Sequence, residues 1–65
     1  MKTYVLTEEI YIDSVPVENT ILYVGPNLKK AELAKQASIA RTRGTAESAS
    51  LWIEIWIDEE YFDTI

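Results

Sequence analysis

The chain contains no cysteine and no histidine, and only two glycines and two prolines among its 65 residues. Without cysteine there can be no disulfide and no thiolate metal site. Without histidine the commonest metal ligand and general base is missing. Two glycines leave little material for a phosphate-cradling loop, and neither a P-loop nor a G-x-G-x-x-G pattern occurs. No apolar run approaches the ~18 residues of a membrane span. Near its start the chain has one lysine, Lys2, then Tyr4, Val5 and Leu6, then Glu8 and Glu9, which is too short and too soon acidic for a secretory signal. The expectation is a soluble protein of the cytoplasm, with no contact with membranes.

What remains is a short chain with enough apolar material to fold. The apolar fraction is 48%, in the range of folded domains, and the length allows one small domain, residues 1–65. A chain this short buries little core and is marginal without help. With disulfides excluded, the help must come from regular packing or from association.

Charge is unevenly placed. The net charge is −5, yet residues 29–43 hold five bases (Lys29, Lys30, Lys35, Arg41, Arg43) against the single acid Glu32, a net of +4. The rest of the chain holds ten acids and only Lys2, a net of −9. From residue 47 to the end there are six acids and no base. Such asymmetry marks an interaction surface, or a helix and sheet that balance each other within the fold.

The most regular stretch is 51–58. Leu51, Ile53, Ile55 and Ile57 alternate with Trp52, Glu54, Trp56 and Asp58. A strand sends successive side chains to opposite faces, so the odd set predicts a core face and the even set a face that meets water or a partner. Upstream, strands are predicted over about 2–7 and 10–15, with the possibility that a bulge joins them. A proline at 16 suggests a strand edge or end, Glu18 and Asn19 a turn, and 20–25, apolar on both faces, a central strand. The 10–17 segment would then form a hairpin with 20–25. Gly25 and Pro26 break the chain, and Asn27 is suited to cap a helix over about 28–43. Gly44 would end that helix, residues 44–50 would form a loop, and 59–65 an acidic tail. On the helix, Leu33, Ala34, Ala37 and Ala40 cluster on one side and predict the sheet-facing surface. Leu28 and Ile39 fall nearly opposite.

These elements predict an α+β fold of two layers: a three- to four-stranded sheet with one helix on one face, in β-β(-β)-α-β order. Should the strands flanking the helix be neighbours, the crossover would be parallel and right-handed. One helix covers one face. The other face would carry Trp52 and Trp56, with Val5, Tyr11 and either the Ile21/Tyr23 or the Leu22/Val24 pair. An apolar patch of that extent on a small domain predicts an interface.

Catalytic arrangements are not legible. In a strand the adjacent pairs Glu8/Glu9 and Glu59/Glu60 point apart, and Glu54 and Asp58 would lie about 13 Å from each other, too far to share a proton. No catalytic, cofactor-binding or metal site is predicted, and no small-molecule substrate. A protein partner is predicted instead, with Trp52, Glu54, Trp56, Asp58, Glu59, Glu60 and Tyr61 as its binding surface. Lys29, Lys35, Ile39 and Arg43 form a second possible surface on the helix. Nucleic-acid binding through the basic helix is an alternative, but carboxylates interleave the tryptophans and the global charge has the wrong sign.

Carboxylates at 47, 54, 58, 59, 60 and 63 could imitate a phosphate backbone and occupy a nucleic-acid-binding site on another protein, with aromatics supplying the burial. In size, charge and element order the chain resembles small acidic proteins encoded by phages and other mobile elements, some of which inhibit host defence systems, including CRISPR effectors. The resemblance implies an inhibitor acting in the host cytoplasm and carries no residue roles. The other expectation is a homodimer or assembly domain whose exposed sheet faces pack together, with no separate target.

Overall fold

A computed structural model of the chain describes the backbone of residues 1–42 and 47–65 and the side chains of 1–41 and 48–65. The elements run β1 (Lys2–Ile12), β2 (Val15–Gly25), α1 (Leu28–Thr42), β3 (Glu47–Ile57) and β4 (Glu60–Thr64). They form the α+β fold of a four-stranded antiparallel sheet, in the order β2-β1-β3-β4, with one helix on one face.

Two central strands set the frame. β1 and β3 pair without a register shift from Lys2↔Ile57 to Ile12↔Glu47, so the expected interruption at Glu8 and Glu9 does not occur. Residues 47–50 of the expected loop belong to β3, while 44–46 lie outside the described residues. Irregularities sit on the outer strands. Leu6 opposes Tyr23 while Thr7 opposes Ile21, which leaves Leu22 as an extra residue in β2, and Val17 is skipped in the same way between Ile10 and Tyr11. β2 is therefore a bulged edge strand, not the central one, and Pro16 is tolerated at that edge. β2 and β3 run in the same direction, but β1 lies between them. The helix connection skips over β1 instead of joining neighbours.

Both hairpins close on two residues with left-handed backbone: Asp13 and Ser14 (φ 52° and 64°), and Asp58 and Glu59 (φ 50° and 72°). Positive φ at both central positions is the type I′ geometry that matches the twist of paired strands. The first hairpin thus turns at 13–14, and Glu18 and Asn19 lie within β2. The second turns residues 60–64 back as β4, so the expected acidic tail is a strand.

Asn27 caps the helix, its Oδ1 accepting from the Lys30 amide at 3.1 Å. The Arg43 and Gly44 part of the predicted helix end lies outside the described residues. The helix rotates differently from the expected orientation. Ala31 (0% exposed) and Ser38 (1%) face the sheet, whereas Leu33 is 61% exposed and Ala37 and Ala40 are exposed. Leu28 packs against the core, Ala34 is half-buried there, and Ile39 is half-buried. A buried polar contact explains the rotation. Glu8 (2% exposed) lies under the helix, the Ser38 hydroxyl donates to its Oε2, and Arg41 reaches both its oxygens at 3.3 Å. A carboxylate buried in the sheet requires donors, and the helix turns to deliver them. Tyr4, Leu6, Ala31 and Ile53 form the small core around this contact.

Gly25 has a specific role at the β2–α1 junction. A Cβ there would lie 2.5 Å from the Tyr23 hydroxyl, and that hydroxyl accepts from the Asn27 amide at 3.2 Å. The tyrosine crosses the glycine to secure the helix start. Among the described residues, no helix is long and apolar enough to cross a membrane.

Candidate protein-binding interface

The register assigns each strand residue to a face. Ile53 and Ile55 oppose Leu6 and Tyr4 under the helix, so Trp52, Glu54 and Trp56 point to the opposite side. On that open face their partners are Thr7, Val5 and Thr3 from β1. Ile21 and Val24 extend it on β2, opposite Thr7 and Val5. The extra residue at Leu22 explains why neither expected β2 pair appears whole: Ile21 and Val24 share the open face, while Leu22 and Tyr23 pack on the core side. β4 adds Tyr61 and Thr64, opposite Trp56 and Glu54. No element of the described chain covers this face.

The centre of the face is a row of three side chains. Glu54 accepts the Trp52 indole N–H at 3.2 Å through Oε2 and the Trp56 indole N–H at 3.1 Å through Oε1. Residues i, i+2 and i+4 of a strand stand about 7 Å apart in sequence along one face, so the two rings must lean inward to reach the same carboxylate. The alternation of tryptophan and acid thus has a local reason, since an indole N–H removed from water needs an acceptor. Tyr61 adds an edge-on contact to Trp56, with ring centroids 5.8 Å apart and planes at 77°, and its hydroxyl is 2.6 Å from Thr64 Oγ1. Ile21 and Val24 are each 60% exposed and Tyr61 54%, whereas the tryptophans are half-buried by their lean. Thr7, flanked in the register by Trp52 and Ile21, is 8% exposed.

At the hairpin end of the same face, Glu9 accepts from the Tyr11 hydroxyl and from Asn19 Nδ2 at 3.4 Å. The Tyr11 phenol is held above its usual value, first by that hydrogen bond, then by desolvation, and then by the charge of Glu9.

The predicted site residues therefore divide. Trp52, Glu54, Trp56 and Tyr61 come together on one surface. Asp58 and Glu59 occupy the β3–β4 turn, where the Met1 amino group pairs with Asp58 and the Asp58 amide donates to the Met1 carbonyl at 3.1 Å. Glu60 opposes Ile57 and so lies on the helix side of the sheet. Of the acids expected to make one phosphate-like row, Glu54, Asp58, Glu59, Glu60 and Asp63 are split between the two faces and a turn, and the Glu47 side chain lies outside the described residues. Of the second surface, Lys29 and Lys35 line a groove between the helix and the outer sheet, with Glu32, Leu33, Gln36, Ile53 and Ile65. Ile39 is half-buried beside it on the helix, and Arg43 lies outside the described residues. The groove exists because the helix packs on β1, β2 and β3 but not on β4, leaving Ile65 52% exposed. Sequence reasoning missed Thr3, Thr7 and Thr64 on the open face; strand alternation alone could have found the first two. No protein-family model, curated protein or solved structure matches the chain.

Proposed function

We propose that the chain is a non-enzymatic binding protein that docks another protein on its open sheet face and thereby inhibits a nucleic-acid-handling target in the cytoplasm. The observation that supports this reading is the Trp52, Glu54, Trp56 row on a face that no second layer of the described residues covers. Tryptophan and tyrosine give interfaces much of their energy because they bury large area with few rotatable bonds. A carboxylate fixed among them selects a positively charged patch, which is what a site built for phosphates presents. The net charge of −5 favours approach to such a site. An anti-defence role, including inhibition of a CRISPR-type effector, extends the proposal on size, charge and element order.

The test is affinity capture from a host extract with the wild type and with the Trp52→Ala, Trp56→Ala double variant side by side. The proposal expects a nucleic-acid-binding partner retained by the wild type, lost by the variant, and displaced by its own nucleic acid. A partner retained equally by both chains would refute the assigned surface. A concentration-dependent dimer that the same variant dissolves, with no other partner retained, would favour the assembly reading instead.

A further inference from the structure

We propose that the tryptophan-clamped Glu54 is a receptor for an arginine side chain of the partner protein, an inference that rests on the docking surface proposed above. The argument starts from acceptor capacity. An ionised carboxylate offers about four lone-pair directions, two on each oxygen. In Glu54 one indole N–H takes a direction on Oε1 and the other takes one on Oε2. One acceptor direction therefore remains on each oxygen. That is the pattern a guanidinium fork satisfies with two parallel N–H donors, and a single ammonium does not.

No cation among the described residues answers the charge. Among the described residues the ion pairs are Met1 with Asp58 and Arg41 with Glu8, and neither involves Glu54. No described base lies on this face. Lys2 opposes Ile57 on the helix side, and Lys29, Lys30, Lys35 and Arg41 are on the helix. The walls suit the same ligand. A guanidinium is planar, more weakly hydrated than an ammonium, and packs against aromatic rings, and the Trp52 and Trp56 rings stand on either side of the acid with Tyr61 beside Trp56. The two indole bonds also fix the carboxylate in place, so little rotamer freedom is lost when the cation arrives. Glu9 contributes a second negative charge farther along the face. A phosphate ligand is repelled by both acids. A second copy of the chain would have to bring Arg41, which is already engaged with Glu8, or Arg43, and it is an outcome that the test separates.

The two tryptophans give two indole N–H signals in a nitrogen–proton correlation spectrum, assigned with Trp52→Phe. The probes are three capped tripeptides, Gly-Arg-Gly, Gly-Lys-Gly and Gly-citrulline-Gly, and a short single-stranded DNA. The expected result is a saturable shift of both indole signals with the arginine peptide and at least about tenfold weaker response to the lysine and citrulline peptides. Glu54→Gln should lose the arginine response while keeping the dispersed amide spectrum of the fold. Should that variant fail to fold, the arginine-to-citrulline comparison on the wild type still decides. Equal responses to arginine and citrulline, no saturable response, or an unchanged response in Glu54→Gln would overturn the inference. So would indole shifts produced by DNA, or by raising the protein concentration alone, because the occupant would then be nucleic acid or a second copy. If the arginine peptide fails while the double tryptophan variant still loses its captured partner, only this inference falls and the docking surface stands.

Discussion

Removing Glu8 should destabilise the fold more than any other single charge change, and the cost should pass through Ser38 rather than Arg41. Glu8 is 2% exposed and Ser38 1%, and the serine hydroxyl donates to the carboxylate. Arg41 approaches the same oxygens at 3.3 Å, but its side chain is 62% exposed. A solvent-screened ion pair contributes roughly 0.2–1 kcal/mol. A buried hydrogen bond to a charge contributes about 1.5–3 kcal/mol. Glu8→Ala loses both and leaves a void, although the Ser38 hydroxyl still accepts from Arg41 at 3.2 Å, so about 3 kcal/mol is expected. A 65-residue chain at 0.05–0.15 kcal/mol per residue has only about 3–10 kcal/mol in total. Urea unfolding followed by tryptophan fluorescence should therefore place Glu8→Ala near the edge of folding. Ser38→Ala should cost about 1–3 kcal/mol, and Arg41→Ala less than about 1 kcal/mol. The Glu8/Ser38 double-mutant cycle should return a coupling of about 1–2 kcal/mol. An Arg41→Ala cost equal to that of Ser38→Ala, or a Glu8/Ser38 coupling below about 0.5 kcal/mol, would refute the reasoning.

Three further outcomes are expected. Gly25→Ala forces the Tyr23 ring off its position, since a Cβ would meet the hydroxyl at 2.5 Å; a loss of about 1–3 kcal/mol is expected in the same urea assay. Ser14→Gly and Glu59→Gly relieve left-handed backbone at φ 64° and 72°, and each should raise stability by about 0.5–1 kcal/mol; a loss in both would contradict the turn assignment. Tyr11 is raised above the ordinary phenol value of 10.0 by its bond to Glu9, by desolvation and by that residue's charge. Its contribution is therefore complete below the ordinary phenol pKa and is lost as pH rises through the raised value. Glu9→Gln should lower the Tyr11 midpoint in an NMR pH titration, and an unmoved midpoint would contradict the contact.

The two-layer α+β architecture was legible because 51–57 alternates without a break and 28–42 is rich in helix formers behind an asparagine cap. The assignment of Trp52, Glu54 and Trp56 to one face followed from the same alternation. Three features were hidden for physical reasons. The hairpin turns use Asp13 with Ser14 and Asp58 with Glu59, which lack the glycine or asparagine that usually signals a type I′ turn. β4 carries an extra residue at Phe62 between the Trp56↔Tyr61 and Ile55↔Asp63 pairs, so its residues do not alternate by chemistry. The helix face was misread because hydrophobicity pointed to Leu33, while burial is decided by a serine whose partner, Glu8, lies 30 residues earlier. Local periodicity does not register a contact of that range. The clamp itself was half visible: the alternating tryptophan and acid could be read, but not that both indoles converge on one carboxylate.

The central claim is that the open face binds through its tryptophans, and the most direct measurement is calorimetric affinity of the captured partner for the wild type and the Trp52→Ala, Trp56→Ala variant. Hot-spot aromatics each contribute about 2 kcal/mol or more, so the double variant should bind at least ~100-fold more weakly while remaining folded by circular dichroism. A folded variant that binds within about threefold of the wild type would contradict the account.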